Sequence, residues 1–565
     1  MVSRKPARRR LGGLWRNGVI VMAGAALLSK LIGALQKIPL QNLAGDRVFG
    51  IYNAVYPFYQ LIAVLATAGL PTAVSILVAR KLKETGSPER MRATLSAALL
   101  LLGATGVLAF VLMWQSADRV AAWIGDSLAA DSVRMLSLAL LFAPMLAVLR
   151  GYEQGKRRMG LSAASSVTEQ IVRVAVMLVV LELGLSAGWS ESRLAAGVMG
   201  GSAAGAFAAL LLLAGRGWRE KVFRPAGGAV SAGEGVHARR GRMLKEMKEL
   251  ALLAGPAALA SIVVPALGVV DAFMVPRLLS DNGFSDAAAM TQFGIYSRGG
   301  PLVQLVVMAA AAGAAAMVPG LAAARAEGNV GLLGPRLSLM LRFGWLTGAA
   351  AAIGLFLLAE PLNVMLYKDA KGTLAFAIVG CTALAGCLSA VTAPALQALG
   401  SVRAPLALLV LAALMKGALN AALVPSLGIE GAALSGVAAL SAAALLSAAA
   451  LRHAAAGLRP PHASHGARGK GLGPAAGGVA ALGLMASAVL LAGRALGSAP
   501  LEGLPPRVQA AAVALTCAAV GAFVFAAAAL RCGAVGAREW RAIPGGEELA
   551  ARLRKRRLIP PLEER

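Results

Sequence analysis

Five cations stand where an apolar chain should avoid them. Lys30, Arg134, Arg173, Arg298 and Lys416 fall inside or at the edge of stretches built from Ala, Leu, Val and Gly. A charge at the centre of a helix in hydrocarbon costs about 2.5 to 3.5 kcal/mol on insertion scales, so such groups normally face a partner or a polar cavity. Lys30, Arg173 and Lys416 lie near the middle of their stretches, and Arg298 lies about one and a half turns into its own. Glu169 precedes Arg173 by four residues, the orientation in which an acid and a base pair on one helix face. Positive charge is left over after that pairing, which suits charge-assisted binding of an anion such as a diphosphate. Ser29, Gln60, Asp271 and Gln304 are the polar residues expected to support the cations. The structural alternative is that these charges snorkel to an interface or lock helices together. Glu169 with Arg173 leans that way, whereas Lys30 and Arg298 lean toward a ligand.

The stretches that carry these residues identify the class of protein. Over 565 residues the chain is 58% hydrophobic and 15% charged, too little polar surface for a soluble protein of this size. Apolar runs of roughly 20 residues match a hydrocarbon core of ~30 Å, and backbone groups there must be satisfied within a helix. Fourteen such spans are expected, at 18–36, 48–79, 93–114, 133–149, 161–183, 194–215, 249–275, 293–324, 337–359, 374–399, 405–424, 431–451, 474–493 and 508–530. The basic N-terminus followed by an apolar run resembles a signal peptide. The run continues through Lys30 without a small-residue cleavage site, so it reads as a retained first helix.

The net charge of +28 is topological and does not indicate nucleic acid. Most of the Lys and Arg fall in alternate connections, namely 1–17, 80–92, 150–160, 216–248, 325–342, Arg403, 452–470 and 531–565. This alternation places those segments and both termini in the cytoplasm, with the spans in the cytoplasmic membrane. The basic tail from Arg552 to Arg557 suits anionic headgroups of the membrane lipids.

An internal repeat runs through the chain. Residues 49–79 match residues 293–323, including FGIY at both Phe49–Tyr52 and Phe293–Tyr296; Pro57 meets Pro301, Gln60 meets Gln304 and Gly69 meets Gly313. A second echo aligns Gly155 and Arg158 with Gly400 and Arg403. A repeat of six spans keeps its orientation in the membrane. The expected fold is therefore an all-α polytopic membrane protein of about 14 transmembrane helices, with two six-helix bundles related by a pseudo-twofold along the membrane normal and two C-terminal helices. The divisions are an N-terminal bundle at 1–215, a cytoplasmic linker at 216–248, a C-terminal bundle at 249–452, a cytoplasmic loop at 453–473, the last two helices at 474–530 and a basic tail at 531–565. Gly197, Gly201 and Gly205 at four-residue spacing are expected to let a neighbouring helix approach closely.

Several chemistries lack their residues. All four histidines fall in expected loops, and the four cysteines have no metal-ligand spacing. There is no GxxxxGK[ST] phosphate loop, HExxH motif or paired-Asp motif. No enzyme activity, metal or cofactor is expected.

The segments SKLIGALQKIPL, FGIYNAVYPFYQLIAVLATAGLPTAVSILVAR, RGYEQGKRRMGLSAASSVTEQIVRV and QALGSVRAPLALLVLAALMKGALNAALVPSLGIEGAALSG resemble the polysaccharide-biosynthesis family that includes stage V sporulation protein B. That family lies within the superfamily of multidrug, oligosaccharidyl-lipid and polysaccharide exporters, which also holds the MurJ-type lipid II flippases. The resemblance covers the first twelve spans. It implies a two-bundle transporter that flips an undecaprenyl-diphosphate-linked saccharide through a central cationic cavity by alternating access. In the flippase branch a Ser-Arg pair in the first helix and an Arg in the eighth line that cavity. Ser29-Lys30 and Arg298 look like their counterparts, with Lys lacking the bidentate fork of Arg. Gln60 stands near where that branch has a cation. The expected partners are the lipid-linked saccharide, membrane lipids and proteins of cell-wall or spore-envelope synthesis. The competing expectations are a multidrug exporter on the same scaffold and a non-transporting membrane scaffold for envelope assembly.

Overall fold

The computed structural model describes residues 18–67, 70–84, 88–219, 265–328, 330–401, 403–456, 474–497 and 504–534, with Arg552 and Lys555. Most of the expected linker at 216–248, the first part of the seventh span, His237, His462, His465 and most of the basic tail lie outside the described residues. Every regular element among the described residues is an α-helix. In chain order these are α1 (Gly18–Leu35), α2 (Lys37–Thr67), α3 (Leu70–Glu84), α4 (Pro88–Gln115), α5 (Ala117–Ile124), α6 (Ala129–Ser137), α7 (Ala139–Gly155), α8 (Met159–Ser186) and α9 (Glu191–Arg219). They continue with α10 at 265–281, α11 (Asp286–Ser297), α12 (Gly300–Ala326), α13 (Val330–Leu357), α14 (Ala359–Tyr367), α15 (Thr373–Ala398), α16 (Arg403–Ala456), α17 (Pro474–Gly497) and α18 (Pro506–Arg531).

Among the described residues, eleven helical stretches are long and apolar enough to cross a membrane. The two longest far exceed one crossing. Val21–Lys83 has 63 residues, about 95 Å of helix against a core of ~30 Å, and is broken after Leu35 and again at Gly45 (φ 82°, ψ 175°). Ala404–Ala454 is broken at Gly428 (φ 62°, ψ −136°), a conformation that an L side chain resists. Counting both as pairs and adding α10, the described end of the seventh expected span, gives fourteen among the described residues. This is an all-α multi-pass membrane fold.

The chain forms two compact units, Met1–Gly294 and Ile295–Arg565. In the first, α3, α4, α7 and α9 enclose an apolar core of Val74, Leu77, Leu95, Leu102, Leu146, Leu149 and Leu213. In the second, α12, α13, α15 and α16 enclose Leu321, Leu337, Met340, Val391, Leu396 and Leu451. These are the same four helices of the repeat, each filling the centre of its own unit. The last two helices belong to the second unit. There α18 packs on α14 and α17 on α13, around Leu358, Val489 and Cys517.

Within the first unit, the two copies of the FGIY motif supply one close approach. A Cβ on Gly50 would lie 2.3 Å from the Met290 carbonyl oxygen, and a Cβ on Gly294 would lie 1.9 Å from that of Asp46. Only glycine allows α2 and α11 to cross at this distance. Because backbone cannot move aside cheaply, Gly294→Ala is expected to destabilise the fold by roughly 3 kcal/mol, the upper part of the overpacking range. Gly24→Ala, with nothing within 4 Å of the added carbon, is the control expected to hold or gain stability. Thermal unfolding of the two variants in detergent checks this.

Candidate functional site

In the first unit, α7, α8 and α2 bring two arginines to one carboxylate. Glu169 Oε1 accepts from Arg173 Nη2 at 3.1 Å, and its Oε2 accepts from Arg150 Nη2 at 2.8 Å. The i,i+4 pairing expected on α8 is present, and Arg150 joins it from α7. Arg150 also donates Nε to Ser165 Oγ at 2.8 Å, and Arg173 donates Nη1 to the Tyr56 hydroxyl at 2.9 Å. The Arg173 guanidinium lies 5.9 Å from the Tyr56 ring centre, within the range of a cation–π contact. Tyr56 stacks on Tyr52 at 5.5 Å, and Tyr52 accepts from Gln36 Nε2 at 2.9 Å. The polar groups thus form a connected chain through the first unit, as buried polar groups must.

Glycines on α9 make room for this turn of α8. A Cβ on Gly201 would lie 2.7 Å from the Arg173 carbonyl oxygen, and one on Gly205 would lie 2.4 Å from that of Glu169. The expected close approach is therefore made against the two charged residues themselves. On the other side α1 packs against α8, with Gly18 beside Met159 and Gly33 beside Gln170. Both positions advance in the same chain direction, so the helices run parallel and Lys30 lies at about the depth of Glu169. Lys30 is exposed, whereas Ser29 Oγ is buried without a hydrogen-bond partner. Gln60 is exposed on α2, and Asp271 is buried on α10.

Arg298 has a different environment in the second unit. It is fully buried at 0% exposure. Its Nη1 donates to Asp369 Oδ1 at 2.6 Å and to Asn363 Oδ1 at 3.3 Å, and its Nη2 donates to Asp369 Oδ2 at 3.2 Å. Tyr367 donates its hydroxyl to the Arg298 carbonyl at 2.8 Å, and the guanidinium lies 5.3 Å from the Tyr367 ring centre. Asn363 Nδ2 in turn donates to the Lys371 carbonyl at 2.9 Å. Arg298 therefore fastens the turn at residues 368–372, which contains Lys368 at φ 71° and Gly372 at φ 64°. Burial pushes the Asp369 carboxyl up. Hydrogen bonds from Arg298 and the Lys371 N–H, with both positive charges, outweigh this and hold it below its ordinary value.

Lys416 is buried on α16, its ammonium 3.7 Å from where a Gly436 side chain would begin. One turn further on, Asn420 accepts from the Ser435 hydroxyl. Gln304 is exposed on α12. Arg134, at the mouth of its span, pairs with Asp118 at 2.7 Å and Asp131 at 3.1 Å. No group of three or more His, Cys, Asp or Glu among the described residues is arranged to hold a metal ion.

Sequence reasoning missed Arg150, because its position ahead of Lys156, Arg157 and Arg158 assigned it to a cytoplasmic segment. The structure keeps it in α7, with Glu169 as the reason. The apolar run up to Leu149 was the available signal. It also missed Asp369 and Asn363, which lie in and beside a short connection.

Residues 15–324 match the polysaccharide biosynthesis protein family, more than half of the chain. The chain belongs to that family. It is 31% identical over 422 residues to the uncharacterized membrane protein YabM of Bacillus subtilis, covering 75% of this chain and 77% of the relative. It is 25% identical over 430 residues to stage V sporulation protein B of the same organism, covering 74% and 80%. A 170-residue stretch is 34% identical to the B. subtilis lipid II flippase MurJ, covering 28% and 31%. Among solved structures, an inward closed lipid II flippase MurJ superposes with a TM-score of 0.61 at 12% identity over 90% of this chain and 97% of that one. An inward-facing multidrug resistance MATE family transporter gives 0.58 at 16% over 77% and 96%. These structures share the fold of this family member.

The Arg298 cluster makes a direct prediction. Asp369→Asn should lower stability at neutral pH by about 2 kcal/mol, since it removes the charged partner of a buried cation. Folding depresses this carboxyl's pKa, so its contribution is complete above the ordinary value of 3.8 and is lost as pH falls through the lower folded value. Melting temperatures of the two proteins should converge in acid; a constant difference would assign the effect to packing.

Proposed function

We propose that this protein translocates an undecaprenyl-diphosphate-linked saccharide, lipid II or a polysaccharide precursor, across the cytoplasmic membrane by alternating access, without catalysing a reaction. The observation that carries the reading is the charge balance of the cluster on α7 and α8, with Lys30 of α1 beside it. Lys30, Arg150 and Arg173 occupy neighbouring membrane depths, with the carboxylate of Glu169 shared between the two arginines. A surplus of positive charge where charge is expensive suits a cargo that brings negative charge with it.

In this reading the diphosphate enters from the cytoplasmic leaflet and meets Lys30 first and Arg173 next, while the polyprenyl tail stays in lipid. Arg298, engaged by Asp369, Asn363 and Tyr367, serves as an anchor for the 368–372 turn. Lys416 adds positive charge to the interior of the second unit. Both termini face the cytoplasm, where the basic connections meet anionic membrane lipids. Membrane potential, at about 2.3 kcal/mol per charge per 100 mV, is large enough to bias the movement of a charged headgroup. The names of two relatives, a lipid II flippase and a stage V sporulation protein, support a cargo and partners belonging to cell-wall or spore-envelope synthesis.

The likeness to a multidrug transporter fold favours a second reading, export of cationic drugs. Acidic groups would then have to dominate the site, and the arginine surplus speaks against it. In vesicles carrying labelled lipid-linked saccharide, Lys30→Ala and Arg173→Ala should each slow headgroup translocation by about tenfold or more, the equivalent of one charge-assisted hydrogen bond. Undiminished translocation in folded variants would refute the site, and efflux of a cationic dye without saccharide translocation would favour the drug exporter.

A further inference from the structure

The two buried arginine clusters are built differently. Arg298 is sealed and pairs with a carboxylate on the 368–372 turn. The cluster on α7 and α8 is neither sealed nor balanced: Arg150 and Glu169 each keep 20% exposure, Arg173 keeps 11%, and two guanidiniums share one carboxylate. Each carboxylate oxygen takes one guanidinium, so Glu169 spans the two arginines as an oxyanion of the cargo would. The guanidiniums are held by other groups, Ser165 for Arg150 and Tyr56 for Arg173. They therefore keep an orientation that does not depend on Glu169 alone. Arg173 Nε is buried and has no hydrogen-bond partner, which leaves a donor unused beside the pair. Such a buried donor is costly unless something accepts from it.

We propose that Glu169 is an internal stand-in for the cargo's phosphate, and that Arg150 and Arg173 form a diphosphate subsite which opens when the carboxylate is displaced. This rests on the reading of the protein as a carrier of diphosphate-linked lipids, and adds to it a second arginine and a competing anion. Lys30, exposed at the same depth on α1, makes the first contact; the arginine pair takes the headgroup once it outcompetes Glu169. Between cargoes the carboxylate keeps two cations from facing the membrane interior unpaired, and it sets a threshold that a singly charged lipid does not overcome.

Binding of farnesyl diphosphate, farnesyl monophosphate and inorganic pyrophosphate to the purified full-length chain in detergent tests the inference. Glu169→Gln, which keeps the shape and removes the competing charge, should bind farnesyl diphosphate about tenfold more tightly than the wild type and discriminate less against the monophosphate. Arg150→Gln should weaken binding in both backgrounds, and Arg150→Lys should weaken it less. Unchanged or weaker binding by a Glu169→Gln variant that melts like the wild type would overturn the proposal. Should that variant not fold, indistinguishable affinities for Arg150→Gln and wild type would overturn it instead. Competition by pyrophosphate at the same concentration as the lipid would refute the assignment to a lipid headgroup. A wild-type chain that binds no diphosphate lipid would remove the cargo reading itself, an outcome separable from failure of the Glu169 variant.

Discussion

An ion in hydrocarbon must be paired, and the pairing of Arg150 and Arg173 with Glu169 is the interaction on which the first unit depends. Neither arginine could stay in the interior alone, since breaking a buried pair leaves a charge whose desolvation is uncompensated. A single carboxylate satisfies the helices and still leaves positive charge over. The surrounding structure follows from holding that triad in place. Gly201 and Gly205 let α9 press against the α8 turn that bears it, and the tyrosines at 52 and 56 extend the hydrogen bonds toward Gln36 on the approach to α2.

A second device recurs at a connection within each unit. Short helix α5 ends in Gly125 at φ 87° and is followed by buried Asp126, which pairs with Arg47 at 3.3 Å. Short helix α14 ends in Lys368 at φ 71° and is followed by Asp369, which pairs with Arg298 at 2.6 Å. The arginines flank the repeated FGIY motif, Arg47 two residues before the first copy and Arg298 two residues after the second. Each unit thus ties a short helix and its turn to an arginine that flanks the motif. This gives Arg298 a structural part, whereas two guanidiniums share one carboxylate in the α7–α8 cluster.

The number and type of spans were legible because membrane thickness imposes a length and a composition on every one of them. The FGIY repeat was legible for a related reason: Gly50 and Gly294 are fixed by a backbone crossing that no other residue tolerates, so they stand out against an Ala-rich background. The Glu169–Arg173 pair was visible from helical spacing. Arg150 was hidden, since the choice between a span's last turn and a cytoplasmic loop is set by a partner fifteen or more residues away. Arg298 was legible as an intramembrane cation but not as a paired one, because Asp369 comes from a connection whose fold depends on two left-handed residues. Spacing reports what shares a helix; it is silent about partners brought in from another.

The central claim is that positive charge in the first unit faces a polar route and not lipid. In a background with all four cysteines replaced, Lys30→Cys in vesicles should react with an anionic, membrane-impermeant thiol reagent, and a lipid-linked diphosphate should slow the reaction. No labelling of a folded protein, or labelling that the diphosphate leaves unchanged, would contradict it.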